Sequence, residues 1–85
     1  MNVVIYYNDH DLLQGRSLDI SRNGMFVHTG SLTLPLYAMV DVVFPLETST
    51  FGIPPQRAMA MVVRRADQGV GLMFSHDIAT GEAYL

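Results

Sequence analysis

Apolar residues in this chain recur at every second position over short stretches, and turn residues interrupt them at intervals of about 8 to 12. A period of two belongs to β-strands, whose successive side chains point to opposite faces. Val3 to Tyr7 is β-branched and aromatic, Asn8-Asp9-His10-Asp11 is a polar turn, and Leu12 to Leu18 resumes to complete a hairpin. Ile20 to Gly24 is a second turn, followed by the strand Met25 to His28. Thr29 to Tyr37, with Gly30 and Pro35, is a looser connection. In Met39 to Phe44, Val40, Val42 and Phe44 share one face and Asp41 takes the other. Glu47 to Gln56 holds Gly52, Pro54 and Pro55 and reads as a loop. Arg57 to Arg65 alternates again, Asp67-Gln68-Gly69 is a tight turn, and Val70 to Phe74 is the last strand. The expected interior is Val40, Val42, Phe44, Met59, Met61, Val63, Val70, Leu72 and Phe74.

Six short strands without a long helical pattern predict an all-β fold, a small six-stranded antiparallel β-barrel whose closure removes exposed strand edges. Ile78 to Leu85 has room for at most one short helical turn, with Asp77 or Thr80 as its N-cap. The 85 residues make a single domain, residues 1–85. A chain of this size buries only about 60 to 65% of its unfolded surface, so the core is thin and leaves little room for a deep catalytic cleft. The chain is 49% hydrophobic and 15% charged, which excludes intrinsic disorder. Met25, Tyr6, Tyr37 and Leu36 do not all fit inside so small a barrel. With few charges to keep apolar surfaces apart, a protein partner or a homodimer is expected.

The charge is −3, with five arginines and no lysine against eight acidic residues. A DNA or RNA binder needs a basic face to displace counterions, and this balance excludes one. Arginine is the planar, bidentate partner of phosphate and carboxylate, so the five arginines become the cations of interest. The absence of cysteine excludes disulfides, a thiolate zinc site and a cysteine nucleophile. The opening residues lack a basic n-region and a small-residue cleavage site. The densest apolar run, Leu32 to Leu46, is too short to span a bilayer and is broken by Pro35, Asp41 and Pro45. The expected location is therefore cytoplasmic, without membrane insertion.

Catalytic and metal constellations find no support in the residues. Asn8-Asp9-His10-Asp11 clusters two carboxylates and an imidazole, but alternate side chains of a tight turn diverge and no second group completes a metal shell. His76-Asp77 is likewise one pair without partners, which ends a strand and caps the segment after it. None of Ser17, Ser21, Ser31, Ser49 and Ser75 lies in a nucleophile elbow. Gly69-Val70-Gly71 lacks the third glycine and the helix of a dinucleotide fold, and reads as a turn glycine followed by one where another backbone comes close.

Asp19-Ile20-Ser21-Arg22-Asn23-Gly24 stands apart. In an extended segment Asp19 and Ser21 share a face, and Gly24 permits a left-handed backbone or the close approach of a ligand. An aspartate there accepts from the N–H edge of a guanine, while the hydroxyl and loop amides reach a phosphate. Arg16 and Arg22 are nearby as possible phosphate forks. The same residues also read as an Asx-type turn between two strands.

Asp19-x-Ser21-x-x-Gly24 followed by Met25-Phe26-Val27 resembles the Asp/Asn-x-Ser-x-x-Gly signature of PilZ domains, small bacterial β-barrels that bind cyclic di-GMP. Val62-Val63-Arg64-Arg65, a turn, and Gly69-Val70-Gly71-Leu72-Met73-Phe74 are similar to that family's closing strands, so the likeness spans roughly residues 3 to 76. It implies a non-enzymatic regulatory domain of cyclic di-GMP signalling, with no cofactor beyond that nucleotide as ligand. Asp19, Ser21 and Gly24 form the ligand side by this resemblance, and Arg16 and Arg22 are the candidate helpers. Binding-competent members carry an Arg-x-x-x-Arg loop ahead of the first strand, whereas no arginine here precedes Arg16. The adjacent pair Arg64-Arg65 cannot imitate that spacing. An upstream loop outside the chain and a domain that never carried one both agree with this sequence. The expectation is weak or absent binding by the chain alone. The alternative is a protein–protein adaptor, as in type IV pilus or motility control, that does not bind the nucleotide.

Overall fold

The computed structural model describes residues 1–8, 11–30, 34–44 and 56–84. Each of the six expected strands forms: β1 Asn2–Tyr7, β2 Asp11–Ile20, β3 Gly24–His28, β4 Met39–Phe44, β5 Gln56–Ala66 and β6 Gly69–Phe74. They close into an antiparallel barrel in the order β1-β2-β3-β6-β5-β4, with β4 returning to β1. Tyr7 pairs with Asp11, as a hairpin between β1 and β2 requires, and Asn8 takes a left-handed φ of 58° at the turn. Asparagine tolerates that conformation better than most residues. Asp9 and His10, and the expected loop from Glu47 to Gln56 up to Pro55, lie outside the described residues, and Gln56 itself begins β5.

The interior is filled by alternate side chains from the strands and one connection. Val3, Ile5, Met25, Val27, Leu34, Val40, Val42, Phe44, Ala60, Val62, Val70, Leu72 and Phe74 form one buried cluster. The rings of Phe44 and Phe74 stack across it at 5.7 Å. β4 and β6 present the faces expected from their alternation, but β5 is reversed. Ala60 and Val62 point inward, whereas Met59 is 51% exposed, Val63 is also exposed and Met61 is half-buried. The reason is volume. Ala60 pairs with both Val40 and Phe74, and Ala58 pairs with Val42, so the interior beside β5 is already occupied by larger side chains. Methionine there would overfill the core, and overpacking costs about 1–3 kcal/mol. Both faces of β5 are apolar, so alternation alone does not distinguish them. Of the residues too many for the interior, Met25 enters it and Tyr6, Leu36 and Tyr37 remain exposed.

After β6 the chain makes a single turn, and no helix forms among the described residues. Gly81 N–H donates to the Asp77 carbonyl at 2.7 Å, closing that turn. Asp77 caps it, its Oδ1 accepting from Ala79 N–H at 2.8 Å and Thr80 N–H at 3.0 Å. The other oxygen, Oδ2, accepts from Arg22 Nε at 3.0 Å and Nη2 at 2.8 Å, and from the Tyr84 hydroxyl at 2.9 Å. Ile78 N–H adds a 3.2 Å bond to the Arg22 carbonyl. One buried carboxylate thus clips the β2–β3 turn to the segment beyond the barrel.

Two substitutions check this packing and this clip. Val42→Asp places an unpaired charge in the core, at a cost on the order of 5 kcal/mol. Eighty-five residues at roughly 0.05–0.15 kcal/mol each supply only about 4–13 kcal/mol in total, so this variant loses a large share of its stability and melts far below wild type. Met59→Asp, the control for the opposite face, meets water and leaves the thermal melt within a few degrees of wild type. A melt in which Met59→Asp is the more damaging variant reverses the assignment of faces.

The other substitution concerns acid. Arg22 holds the Asp77 carboxyl well below its ordinary 3.8, against the opposing effect of burial, and the bonds from Ala79, Tyr84 and Thr80 act in the same sense as Arg22. A carboxyl whose folded value lies below its unfolded value contributes stability above the unfolded value and loses it as pH falls toward the folded one. The difference in melting temperature between wild type and Asp77→Asn should be constant at about pH 5 to 7 and shrink below about pH 4. A difference that persists unchanged to about pH 2 overturns this account.

Candidate ligand site on the outer barrel face

Two β-bulges set the site. In β2, Ser17 is buried and pairs with Val27, while Asp19 pairs with Phe26, leaving Leu18 as the extra residue. Uninterrupted alternation would send Asp19 to the same side as Ser17, into the core. The added residue turns it out. The Ser17 hydroxyl braces the bulge, with its Oγ 2.9 Å from the Phe26 carbonyl oxygen and 3.1 Å from that of Asp19. Met1 exchanges two backbone bonds with Ser17, both at 2.9 Å, and fixes the same point from the other edge.

β5 repeats the device. Val62 is buried and pairs with Leu72, Arg64 pairs with Gly71, and Val63 is the extra residue. Arg64 is thereby exposed instead of facing inward. The registers place Asp19, Phe26, Gly71 and Arg64 in one row across β2, β3, β6 and β5. The Arg64 guanidinium carbon lies 5.2 Å from the centroid of the Phe26 ring, within cation–π range. Gly71 makes that reach possible. A Cβ there would sit 3.3 Å from Arg64 Cβ and 3.8 Å from its Nε. Phe26 also meets His28 edge to face at 5.0 Å.

The turn from β2 to β3 supplies the rest. Ser21 N–H donates to the Gly24 carbonyl at 2.9 Å, closing a two-residue loop of Arg22 and Asn23. Asn23 N–H donates to Ser21 Oγ at 3.3 Å, so the hydroxyl also shapes the turn. Gly24 has no left-handed backbone. It is glycine because a Cβ would run into the Leu72 carbonyl of β6, so the close approach is that of a neighbouring strand.

Asp19, Ser21 and Gly24 line one open depression of about 430 Å³, and Phe26, Gly71 and Arg64 line it too. The sequence-derived trio is brought together. The two helper arginines are not. Arg22 is held by Asp77, and Arg16 borders a different hollow of about 300 Å³ with Gln14 and His28. Among the described residues the ion pairs are Arg22–Asp77 and Arg57–Asp41, which leaves Asp19 and Arg64 without an opposite charge. Arg64 and Phe26 escaped sequence reasoning because their partners are distant in the chain. The available signal was Gly71 in a strand otherwise filled with side chains.

No cluster of three or more metal-ligating side chains occurs among the described residues. The depression instead offers a carboxylate for a pair of N–H donors, an aromatic ring bearing a cation, and the Ser21 hydroxyl. That inventory suits a planar base carrying an anionic group.

No curated protein and no solved structure matches the chain. The sequence profile of the PilZ domain matches residues 1–84, almost the full length, and the closed six-stranded barrel is consistent with that fold. By that match, this chain belongs to the PilZ domain family.

Proposed function

We propose that the domain is a non-enzymatic regulatory module of bacterial cyclic di-GMP signalling, working in the cytoplasm, with Asp19, Ser21 and Gly24 as the ligand side of its site. PilZ domains are ligand-binding and adaptor domains, and no helix among the described residues is long and apolar enough to cross a membrane. One observation carries the ligand reading: Asp19, Ser21 and Gly24 line a single open depression, and the Asp19 carboxylate has no ion-pair partner among the described residues. A carboxylate at that position accepts from two N–H groups of a guanine edge.

The phosphates are poorly provided for. No arginine precedes Arg16, Arg22 is committed to Asp77, and Arg16 lies outside the depression. Each charge-assisted phosphate bond contributes about 1.5 to 3 kcal/mol, so the lack of two weakens binding by about two to four decades. The chain alone should bind cyclic di-GMP in the millimolar range or beyond. Calorimetric titration tests this, and low-micromolar binding that disappears in Asp19→Ala overturns it.

A second reading, that of a protein–protein adaptor, is favoured by a separate observation. Leu36, Tyr37, Met39, Met59 and Val63 are all exposed on the β4–β5 side. Tyr37 is 66% exposed and held at a left-handed φ of 68°, with its N–H donating to the Val62 carbonyl at 2.7 Å. A non-glycine residue in that region costs on the order of 1–3 kcal/mol, and such strain concentrates at functional surfaces. If this face joins two copies, light scattering gives a dimer mass that Met59→Glu halves without lowering the melting temperature. A monomer at the highest attainable concentration removes the homodimer and leaves a heterologous partner.

A further inference from the structure

We propose that Arg64, carried across Gly71 onto the ring of Phe26, is both the stacking platform and the cation for a guanine nucleotide whose base edge is read by Asp19. This rests on the nucleotide reading above and extends it to residues outside the Asp-x-Ser-x-x-Gly segment.

Arg64 and Asp19 line the same depression with opposite charges, yet each lacks an ion-pair partner among the described residues. They stand at the two ends of the row Asp19, Phe26, Gly71, Arg64, with the ring of Phe26 and a bare glycine between them. A ligand that satisfies both must bring N–H donors at one end and negative charge at the other. A guanine nucleotide does so: its N1–H and exocyclic amino group face the carboxylate, and its phosphate faces the guanidinium. Adenine does not, because its N1 is an acceptor and meets the carboxylate lone pair against lone pair.

The platform follows from the same geometry. A guanidinium can stack its plane on an aromatic ring, which leaves its other face free for a base. The Arg64 guanidinium lies 5.2 Å from the Phe26 centroid, and its exposure leaves the outer face to a base. Gly71 favours this arrangement, since a Cβ there would crowd Arg64 Cβ at 3.3 Å and touch its Nε at 3.8 Å. Val63 forms the adjoining wall, placed there by the same bulge that turns Arg64 outward.

The test is a nitrogen-15 NMR titration of the 85-residue chain with cyclic di-GMP into the millimolar range, with cyclic di-AMP as the comparison. Saturable shifts are expected at the amides of Phe26, Gly71 and Arg64, with cyclic di-AMP weaker. Arg64→Gln and Gly71→Ala should each weaken binding by about tenfold or more while the spectrum stays dispersed. Arg65→Gln, the adjacent cation, should change it less than about twofold. Arg64→Lys keeps the charge and loses the planar face, so it should not restore binding. Wild-type affinity in both Arg64→Gln and Gly71→Ala overturns the assignment of Arg64 and leaves the nucleotide reading standing. Full binding by Arg64→Lys overturns the platform. A wild-type chain with no saturable shift at Phe26, Gly71 and Arg64 overturns this inference, while the weak-binding regulatory reading stands.

Discussion

Parity between inside and outside is the constraint on which this barrel depends. Six short strands enclose one thin core, so each residue's face follows from counting along its strand. A strict count would send Asp19 inward after Ser17, and Arg64 inward after Val62. Either charge would be unsupportable in an interior of valines and phenylalanines. The bulges at Leu18 and Val63 reset the count at both places, and the charges emerge on one outer row. Fold stability and site geometry therefore rest on the same two inserted residues. The buried Ser17 hydroxyl, shared between the carbonyls of Asp19 and Phe26, holds one of those insertions in place.

Much of this architecture was legible from the residues. All six strands were, because apolar residues alternate or cluster in each between turn residues. β4 revealed its inner face because Asp41 marks the outer one. β5 did not, because alanines and methionines occupy its two faces and polarity ranks neither. The choice was made by volume, through Phe74 and Val40 beside Ala60, which no local pattern records.

The candidate site was legible in the same uneven way. Asp19, Ser21 and Gly24 lie within six residues and were found together, by spacing and by family resemblance. Arg64 is far from Phe26 in the chain, and only the pairing of β3, β6 and β5 brings the two into one row. A bulge carries no residue signature, so the turning-out of Arg64 was not readable in advance. The cap at Asp77 was readable from its place after a strand, whereas its bond to Arg22, 55 residues away, was not. Arg22, paired there with Asp77, does not line the depression. The glycine at position 24, expected to allow a left-handed backbone or the close approach of a ligand, has the Leu72 carbonyl of the neighbouring strand against it and also lines the depression.

The reversal of β5 has a chemical consequence for the surface. With alanines inside, the thioether of Met59 joins that of Met39 on β4 in facing water, while Met25 alone of the methionines is sealed in the core. Oxidation to sulfoxide makes a flexible apolar side chain polar. An oxidant would reach Met39 and Met59 first and change the wetting of the β4–β5 face, leaving the packed interior beneath it untouched.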